Sequence, residues 1–471
     1  MSQEQDQHNL VVEELYAESH EWHVNAGEET IHAKRIQGKF RTLKWLAAAT
    51  WVLFFIGPYM RWNGDQAILF DIPGRQYHIF DLTILPQDVW MLSLVLLFFA
   101  ILLAVVTTLF GRVYCGFFCF QTIWVDAFTW IEGKLEGAPG KRRKLDKAPL
   151  TLNKFWIKAQ KHFAWLLISA FTGLSFVAWF TDAFQLWVDY MTLSASATEW
   201  GTLALFTAGT YILAGFLREQ TCLWLCPYAR IQAVMLDRES LIPTYDFNRG
   251  EPRGRLSKGE TVEGNGDCID CNQCVAVCPT GVDIRGGLDE GCITCALCID
   301  ACDLVMDKIH KPRGLIRYES IDALEGKHVP PLMKRSRVLV YIIIMTLAFG
   351  GIIYGLLNIS GLEIKVLHER QPLYVMLSNG SIQNKYELKI LNKTHDDMYV
   401  TVTTGGLDGV ELIGAEEPFL ARPGKVTPYT VYLRLPRREM DGSSLSVYFQ
   451  LQGVEQPELR STYESMFLGP R

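Results

Sequence analysis

Five long apolar segments constrain the fold of this chain more than any other feature. A helix needs about 20 mostly apolar residues to cross about 30 Å of hydrocarbon. Residues 95–110 carry no charge at all, and several such runs are hard to place in a soluble core. The sequence therefore predicts a multi-domain membrane protein with a five-helix α-helical transmembrane bundle. The predicted spans are 43–60, 90–110, 162–180, 200–217 and 338–357.

The loops between these segments alternate sharply in positive charge. Residues 111–161 contain ten Lys or Arg and residues 218–337 contain sixteen, whereas residues 181–199 contain none. Because positively charged loops stay in the cytoplasm, we expect the N-terminus and both basic loops there, and five crossings then place the tail outside. The predicted division is 1–42 as the cytoplasmic N-terminal segment, 43–217 as helices 1–4 with the loop 111–161, 218–337 as a cytoplasmic domain, 338–358 as helix 5 and 359–471 as the outer domain.

Eight of the twelve cysteines lie close together in the second basic loop. Their spacing is Cys-x2-Cys-x2-Cys-x3-Cys from Cys268, and the pattern restarts at Cys292. In bacterial two-cluster ferredoxins with this spacing, the last cysteine of each run binds the other cluster. The sequence therefore predicts an α+β two-cluster ferredoxin-like insert over roughly 260–310. The expected [4Fe–4S] ligands are Cys268, Cys271, Cys274 and Cys302 for cluster 1, and Cys292, Cys295, Cys298 and Cys278 for cluster 2.

Other assignments of this array are less favoured. Two zinc sites are the alternative, but the thiolate pairs of zinc sites usually lie farther apart in sequence. Asp303 follows Cys302 where the first run has Pro279, which concerns loop geometry rather than ligation. The chain has no G-x-G-x-x-G fingerprint and no P-loop. The electron donor, which the sequence does not identify, is therefore expected to be another protein or a membrane quinol.

Two further cysteine pairs follow the second and fourth apolar segments. Cys115 and Cys119 begin five residues after one segment, and Cys222 and Cys226 begin five residues after the other. A spacing of four places both thiols of a pair on one helical face if the helix continues. Soft thiolates select Cu(I), zinc or iron–sulfur clusters, so we predict a redox or metal site at the membrane edge, with copper as one candidate. The alternative is a set of ordinary buried cysteines.

The tail changes to a period of two, which is typical of strands. Tyr386, Leu388 and Ile390 alternate with polar residues, and three later runs repeat the pattern. Turn residues such as Gly405 and Gly406 separate the runs. Short strands at this rhythm predict an all-β immunoglobulin-like sandwich. The tail has no candidate catalytic cluster, so its expected role is to dock a partner.

The order of these features resembles that of the FixG/RdxA/CcoG family of cytochrome c oxidase accessory proteins. The resemblance covers nearly the whole chain after the first ~35 residues. The family pattern places proline after each edge pair, which Cys226-Pro227 keeps, whereas Phe120 follows Cys119. The strings that carry the resemblance are Gln121-Thr122-Ile123-Trp124, Arg218-Glu219-Gln220-Thr221-Cys222, Cys226-Pro227-Tyr228-Ala229-Arg230, and Asp237-Arg238 followed by Thr244-Tyr245-Asp246.

The resemblance implies a function for the edge cysteines. Family members assist assembly of cbb-type cytochrome c oxidase and are expected to reduce Cu(II) to Cu(I) for it. On this hypothesis an electron passes from the donor through the two clusters to copper at Cys115, Cys119, Cys222 and Cys226, and the chain is a cupric reductase. One rival function is a quinol-linked electron relay to a periplasmic reductase. The other is a redox-sensing assembly scaffold.

Location and partners follow from the same features. The resemblance implies the bacterial inner membrane, with the N-terminus and clusters cytoplasmic and the last domain periplasmic. The expected partners are the lipid bilayer and oxidase assembly factors or a copper transporter or chaperone. A formal net charge of −6 argues against general nucleic-acid binding.

Overall fold

A computed structural model describes most of the chain. The described residues are 31–74, 76–80, 82–84, 89–255, 265–358, 360–394, 396–440 and 442–470. Most of the predicted N-terminal segment 1–42 therefore lies outside the described residues. The helices are α1 Lys39–Ala49, α2 Val52–Ile56, α3 Val89–Phe110, α4 Phe120–Leu135, α5 Pro139–Lys147, α6 Leu152–Val177, α7 Ala183–Met191, α8 Ala197–Ile212, α9 Arg218–Gln220, α10 Pro227–Met235, α11 Phe247–Gly250, α12 Gln273–Ala276, α13 Leu297–Lys308, α14 Ile321–Leu324 and α15 Ser336–Leu357.

The strands fall into two short groups and one large group. The chain divides into two compact units, Met1–Gly57 with Leu96–Ala178 and Leu186–Ala348, and Pro58–Val95 with Trp179–Gln185 and Phe349–Arg471. The strands are β1 Arg61–Trp62, β2 Asp65–Gln66, β3 Ile68–Asp71, β4 Gln76–Ile79, β5 Leu82–Ile84, β6 Ile242–Tyr245, β7 Ile316–Glu319, β8 Leu362–His368, β9 Val375–Met376, β10 Ser381–Asn392, β11 Met398–Gly405, β12 Glu411–Ile413, β13 Phe419–Ala421, β14 Val426–Pro436, β15 Ser444–Gly453 and β16 Arg460–Leu468.

Four helical runs in the described residues are long and apolar enough to cross a membrane. They are Lys39–Tyr59, Trp90–Phe110, Ala197–Leu225 and Ser336–Leu357. These match the first, second, fourth and fifth predicted spans, although the fourth continues to Leu225 instead of ending at residue 217. The third prediction falls mostly within α6, which begins among Lys154, Lys158 and Lys161 and is not one of the four. Membrane character is thus confirmed, while the count of five stays a prediction.

The α+β insert in the first unit is built around a two-stranded sheet. Strand β6 pairs antiparallel with β7, so that Ile242 lies opposite Glu319. Helices α12 and α13 each begin within one of the cysteine runs, after its second cysteine. Tyr245, Met306 and Leu315 are buried in its core, where they pack with the cysteine loops. The predicted α+β domain is therefore present, and its sheet lies between the candidate spans Ala197–Leu225 and Ser336–Leu357 in sequence.

The last domain is a sandwich of two antiparallel sheets. One sheet has the order β12–β14–β10–β8, with β9 also pairing β10, and the other has the order β13–β11–β15–β16. Tyr386 on β10 lies opposite Val431 on β14, and both are fully buried. Alternate residues of each long strand point into the core because side chains of a strand alternate between its two faces. The predicted all-β domain is confirmed.

The second unit also contains the short strands before α3. The backbone N–H of Phe70 on β3 donates to the Trp179 carbonyl at 2.9 Å. Arg61 pairs with Asp182 at 2.5 Å. The Gln76 side-chain amide donates to the carbonyl of Gly424 in the sandwich domain. Residues 61–79, the segment after α6 and the sandwich therefore belong to one contact network.

We predict that the inward and outward faces of β15 differ strongly in their contribution to stability. Phe449 is fully buried, whereas its neighbour Tyr448 is 39% exposed. Phe449→Ala should lower the free energy of unfolding of the sandwich by about 3–5 kcal/mol, because it leaves a cavity. The check is hydrogen exchange of peptides from 362–468 in the full chain. Tyr448→Ala is the control, and equal effects of the two changes would contradict the assignment of faces.

Candidate redox site

Both cysteine runs fold into the same loop-and-helix unit. Asp270 and Asn272 in the first run have positive φ, and so do Thr294 and Ala296 at the equivalent positions of the second. In each run the second of these residues directly precedes the helix. Positive φ is unfavourable for a β-branched residue such as Thr294, and such strain clusters at functional sites. The sequence repeat is therefore also a repeat of backbone geometry.

The four cysteines expected to bind cluster 1 line one cavity. Tyr245 and Arg285 also border it, and three of the four thiols come from the first run. The fourth comes from α13, which belongs to the second run, as the crossed ligand assignment requires. These lining cysteines are Cys268, Cys271, Cys274 and Cys302.

The cysteines expected to bind cluster 2 form a second group. Cys278 is an electrostatic neighbour of Cys292, Cys295 and Cys298, although it belongs to the first run. Burial, followed by the nearby Cys278 thiol, raises the pKa of Cys292 to about 12. The Val282 N–H donates to the Cys278 sulfur at 3.3 Å. Cys298 also interacts with Cys274 of the first group, so the two groups adjoin.

Asp303 changes the length of the helix rather than the position of the ligand. In the first run Pro279 follows Cys278, and α12 has four residues. In the second run α13 continues through Cys302 for a total of twelve residues. A proline cannot continue a helix, so its replacement permits the longer one. The Asp303 carboxylate accepts a hydrogen bond from the Gly314 N–H at 2.9 Å, which fixes the chain that leads into β7.

The donor set suits two [4Fe–4S] clusters. All twelve cysteines are free thiols, and the eight in the two runs are buried or half-buried. Each cubane takes four thiolates, and soft thiolates are its usual ligands. Within the described part of the chain, no three His, Cys, Asp or Glu side chains are arranged to hold a single metal ion. A cubane differs from such a site because its thiolates bind four separate irons.

The membrane-edge pairs share a backbone geometry that the helical prediction missed. Tyr114–Phe118 and Thr221–Leu225 are each a single π-helical turn. The N–H of Cys119 donates to the Tyr114 carbonyl, and that of Cys226 to the Thr221 carbonyl, both at 2.8 Å. Both of these cysteines are extended, so neither pair continues as an α-helix. Single π turns are frequent at functional sites. Phe120 in place of proline leaves this geometry unchanged.

The edge turns pack directly on the second cysteine run. A Cβ on Gly116 would lie 2.6 Å from the Ile293 carbonyl oxygen and 2.9 Å from the Cys295 Cα. Cys115 and Cys295 share one buried cluster. On the other side, a Cβ on Gly291 would lie 3.3 Å from the Leu223 side chain. The structure therefore places both edge pairs beside the run that begins at Cys292.

The two edge pairs also lie near each other. Cys115 interacts electrostatically with Cys119, Cys222 and Cys226. Burial, followed by repulsion from Cys119, raises the pKa of Cys115 to about 12. As a free group Cys115 is therefore a neutral thiol at pH 7. A soft metal that binds it must displace the proton.

Two buried polar residues at this site were missed by the sequence analysis. Gln232 lies 2.9 Å from the Cys115 sulfur, and its amide donates to Thr107 and Tyr228. The Arg112 guanidinium donates to the carbonyls of Glu290 and Cys292. Arg112 stands three residues before Cys115, but a basic residue at the end of a span is explained by topology alone. Only the fold shows that it is 3% exposed.

A network of buried ion pairs positions the turn that precedes the second edge pair. Glu132 on α4 accepts from Arg218 at 2.6 Å and from Arg142 at 3.1 Å. Lys161 and Arg218 both lie over the Trp165 ring. Burial opposes ionisation of Glu132, but Arg218 and the other cations lower its pKa. Removing one partner of such a network leaves a buried charge unpaired, so the turn before Cys222 is firmly positioned.

Family models match three regions of the chain. Residues 217–321 match a 4Fe-4S dicluster domain, and residues 92–138 match a 4Fe-4S binding domain. Residues 352–470 match the IG-like fold at the C-terminal of FixG. The second of these regions includes Cys115 and Cys119.

Curated relatives match over most of the chain. "Nitrogen fixation protein FixG" of Rhizobium meliloti is 37% identical over 86% of this chain and 86% of its own length. "Protein RdxA" of Cereibacter sphaeroides is 38% identical over 81% of this chain and 83% of its length, and "Protein RdxB" is 41% identical over 80% and 83%. A crystal structure of a FixG-related protein from Vibrio parahaemolyticus aligns with 24% of this chain and all of that one, at 21% identity and a TM-score of 0.22.

The fold and the site define an integral membrane iron–sulfur protein with an immunoglobulin-like C-terminal domain. The chain belongs to the FixG/RdxA family of iron–sulfur electron-transfer proteins. The family resemblance drawn from the sequence is thereby confirmed.

We predict that the close approach at Gly116 is needed for the packing of the second cysteine run. Gly116→Ala places a methyl group against backbone atoms that have no room to move, and we expect destabilisation of about 1–3 kcal/mol. Thermal unfolding followed by cluster absorbance measures this. Gly133→Ala on α4 is the control because nothing lies within 4 Å of the added Cβ. Equal unfolding temperatures for the two variants would contradict the prediction.

Proposed function

We propose that the chain carries electrons through two [4Fe–4S] clusters to a thiol site at the membrane edge, where it reduces Cu(II) to Cu(I). The ligands of each cluster are those assigned above from the two runs. The observation that carries this proposal is the contact of the edge turn with the second run, where Gly116 meets Ile293 and Cys295. Bound clusters supply one-electron transfer. One electron converts one Cu(II), so the reaction balances without a bond change.

The edge residues have separate roles in this proposal. In this proposal Cys115, Cys119, Cys222 and Cys226 present thiols to copper and draw together when it binds, because in the described residues no three of them are already arranged around a single ion. Thiolate ligation favours Cu(I) over Cu(II). Gln232 orients the Cys115 thiol through the contact at 2.9 Å. Because the pKa of Cys115 is raised, copper binding releases a proton there, so binding should strengthen as pH rises. Cys115 is buried and the other three edge thiols are half-buried, so the site shields a bound ion from water only in part.

We further propose that α6 is a fifth membrane span. It runs beside α8, a candidate span, with Trp165 near Tyr211 and Phe176 stacked on Phe206. A Cβ on Gly173 would lie 2.9 Å from the Leu203 carbonyl oxygen, so the two helices approach closely. The Arg61–Asp182 pair joins the segments before α3 and after α6. If α6 did not cross, these two residues would lie on opposite sides of the membrane.

Five crossings support the sidedness expected from the loop charges. The clusters and the edge site then face the cytoplasm of a bacterial inner membrane, and the sandwich faces the periplasm. The Gln76–Gly424 hydrogen bond supports a common side for the sandwich and the first outer loop. The sandwich is then placed to dock an oxidase assembly factor or a copper transporter.

Site-directed labelling tests this arrangement. We predict that Ser194→Cys reacts with a membrane-impermeant maleimide added outside intact cells, because it follows the outer end of α6. Lys147→Cys, exposed in the loop between α4 and α6, should react only after the membrane is opened. The unaltered chain gives the background from native cysteines. Protection of Ser194→Cys in intact cells would contradict the fifth crossing.

A second assignment of the edge site is favoured by one observation. The 4Fe-4S binding domain model covers 92–138, which includes the first edge pair. An iron–sulfur group at the four edge thiols would make the chain an electron relay and leave copper without a site. Iron content distinguishes the two, since two cubanes contain eight irons and a third would raise the count to twelve.

We predict that the double change Cys222→Ser and Cys226→Ser abolishes Cu(II) reduction and leaves eight irons per chain. Serine keeps the size of the side chain but removes the soft sulfur ligand, so we expect at least a 100-fold loss of rate. The measurement is anaerobic stopped-flow oxidation of the reduced protein by Cu(II), with iron analysis of the same sample. Full activity would reject the copper site, and a fall from twelve irons to eight would favour the relay.

A further inference from the structure

The two cysteine groups lie in different charge environments, and the first difference is Arg112. This side chain is 3% exposed, and its guanidinium contacts the Cys292 carbonyl at 3.4 Å. None of the ion pairs among the described residues includes Arg112, and its Nε has no hydrogen-bond partner there. A buried cation is unfavourable unless an anion balances it. The Arg112 charge interacts electrostatically with three thiols, those of Cys115, Cys222 and Cys292.

The second difference is a cluster of cations around Asp126. Lys44 lies 2.6 Å and Arg41 3.2 Å from this carboxylate, and Arg35 lies 3.9 Å from it. Burial opposes ionisation, but Lys44 and Arg41 lower the pKa of Asp126 to about 2. Cys295 interacts electrostatically with both Lys44 and Asp126. Asp300, which accepts from the N–H groups of α1, is a second carboxylate here, so three cations face two anions even before Arg112 is added.

The group expected to bind cluster 1 has the opposite balance. Arg285 contacts Asp270 at 2.6 Å and Asp283 at 2.7 Å, so two carboxylates face one cation. Cys274 interacts electrostatically with Arg285 and Asp283. Cys302 interacts in the same way with Asp303. Two more cations near Cys268, Arg249 and Lys311, pair with Asp267, and all three are a quarter to a third exposed. Asp270 and Asp283 are 35% and 23% exposed, so water screens their charges about as much as those of these three residues. With Asp303 included, four carboxylates face three cations around this group.

We propose that this asymmetry gives cluster 2 a more positive reduction potential than cluster 1, with Arg112 as the main cause. A nearby cation stabilises the reduced state, because reduction adds one negative charge. With both clusters bound, an electron that entered at the Cys268 group would pass to the Cys292 group, oxidising the first cluster by one electron and reducing the second, with no proton transfer. This inference rests on the proposed function. It gives the direction of flow toward the edge thiols, which the contacts alone do not.

The test is a potentiometric titration of the full chain in detergent, followed by electron paramagnetic resonance. We expect two cubane signals with distinct midpoint potentials. Arg112→Gln should shift the more positive potential downward and leave the other in place. Arg112→Lys keeps the positive charge, so its more positive midpoint potential should equal that of the unaltered chain. Arg230→Gln is the matched control, because Arg230 is an exposed arginine near the second edge pair.

A second variant keeps the inference testable if Arg112→Gln assembles poorly. Asp270→Asn removes a negative charge beside cluster 1 without changing the size of the side chain, and asparagine tolerates the positive φ at this position. Asp270→Asn should raise the more negative midpoint potential and so reduce the difference between the two potentials. Unchanged potentials in both variants, or a downward shift of the more negative signal in Arg112→Gln, would overturn the inference.

These outcomes are separable from failure of the proposed function. An unaltered chain that lacks two cubane signals would contradict the cluster assignment itself. Two signals with the predicted shifts, but no oxidation by Cu(II), would uphold the direction of electron flow and reject copper as the acceptor.

Discussion

The contact between the first membrane-edge turn and the second cysteine run is the constraint on which the rest of the site depends. At Gly116 two backbones approach so closely that any side chain would be excluded. This brings Cys115 into the same buried cluster as Cys295. Electron transfer requires that two redox groups lie close together, and no bond between them has to change. The contact at Gly116 therefore connects the membrane helices to the ferredoxin insert. The equivalent π turn at Thr221–Leu225 brings the second pair beside the same run through the Leu223 side chain, 3.3 Å from the position of a Cβ on Gly291.

Buried charges fix this assembly from several sides. Glu132 ties α4 to the turn before Cys222, and Asp126 ties α4 to α1. Such pairs add little net stability, because both partners lose water, but losing one partner is severe. They therefore act mainly to specify one arrangement. Arg112 differs from the others because its neighbours are thiols and carbonyls, so its charge is available to act on the redox groups.

The C-terminal sandwich domain is stabilised by different interactions. The sandwich depends on apolar burial between two sheets, and the described part of it contains no cysteine. It meets the segment before α3 through a polar contact, the hydrogen bond from the Gln76 side-chain amide to the Gly424 carbonyl. Such polar contacts at the surface are weaker and more exchangeable than a core. This suits a domain whose proposed task is to meet a partner.

The sequence by itself determined four membrane segments, the iron–sulfur domain and the β-sandwich, because each depends on local spacing. Apolar runs, cysteine intervals and the alternation of apolar and polar residues, as around Leu388, can be read directly from the sequence. Only the tertiary structure decided that Cys119 and Cys226 end π turns, that Gly116 touches the second cysteine run, and that Arg112 is buried beside three thiols. The last two features arise from contacts between segments more than 100 residues apart, as between Arg112 and Cys292, and no local pattern encodes such contacts.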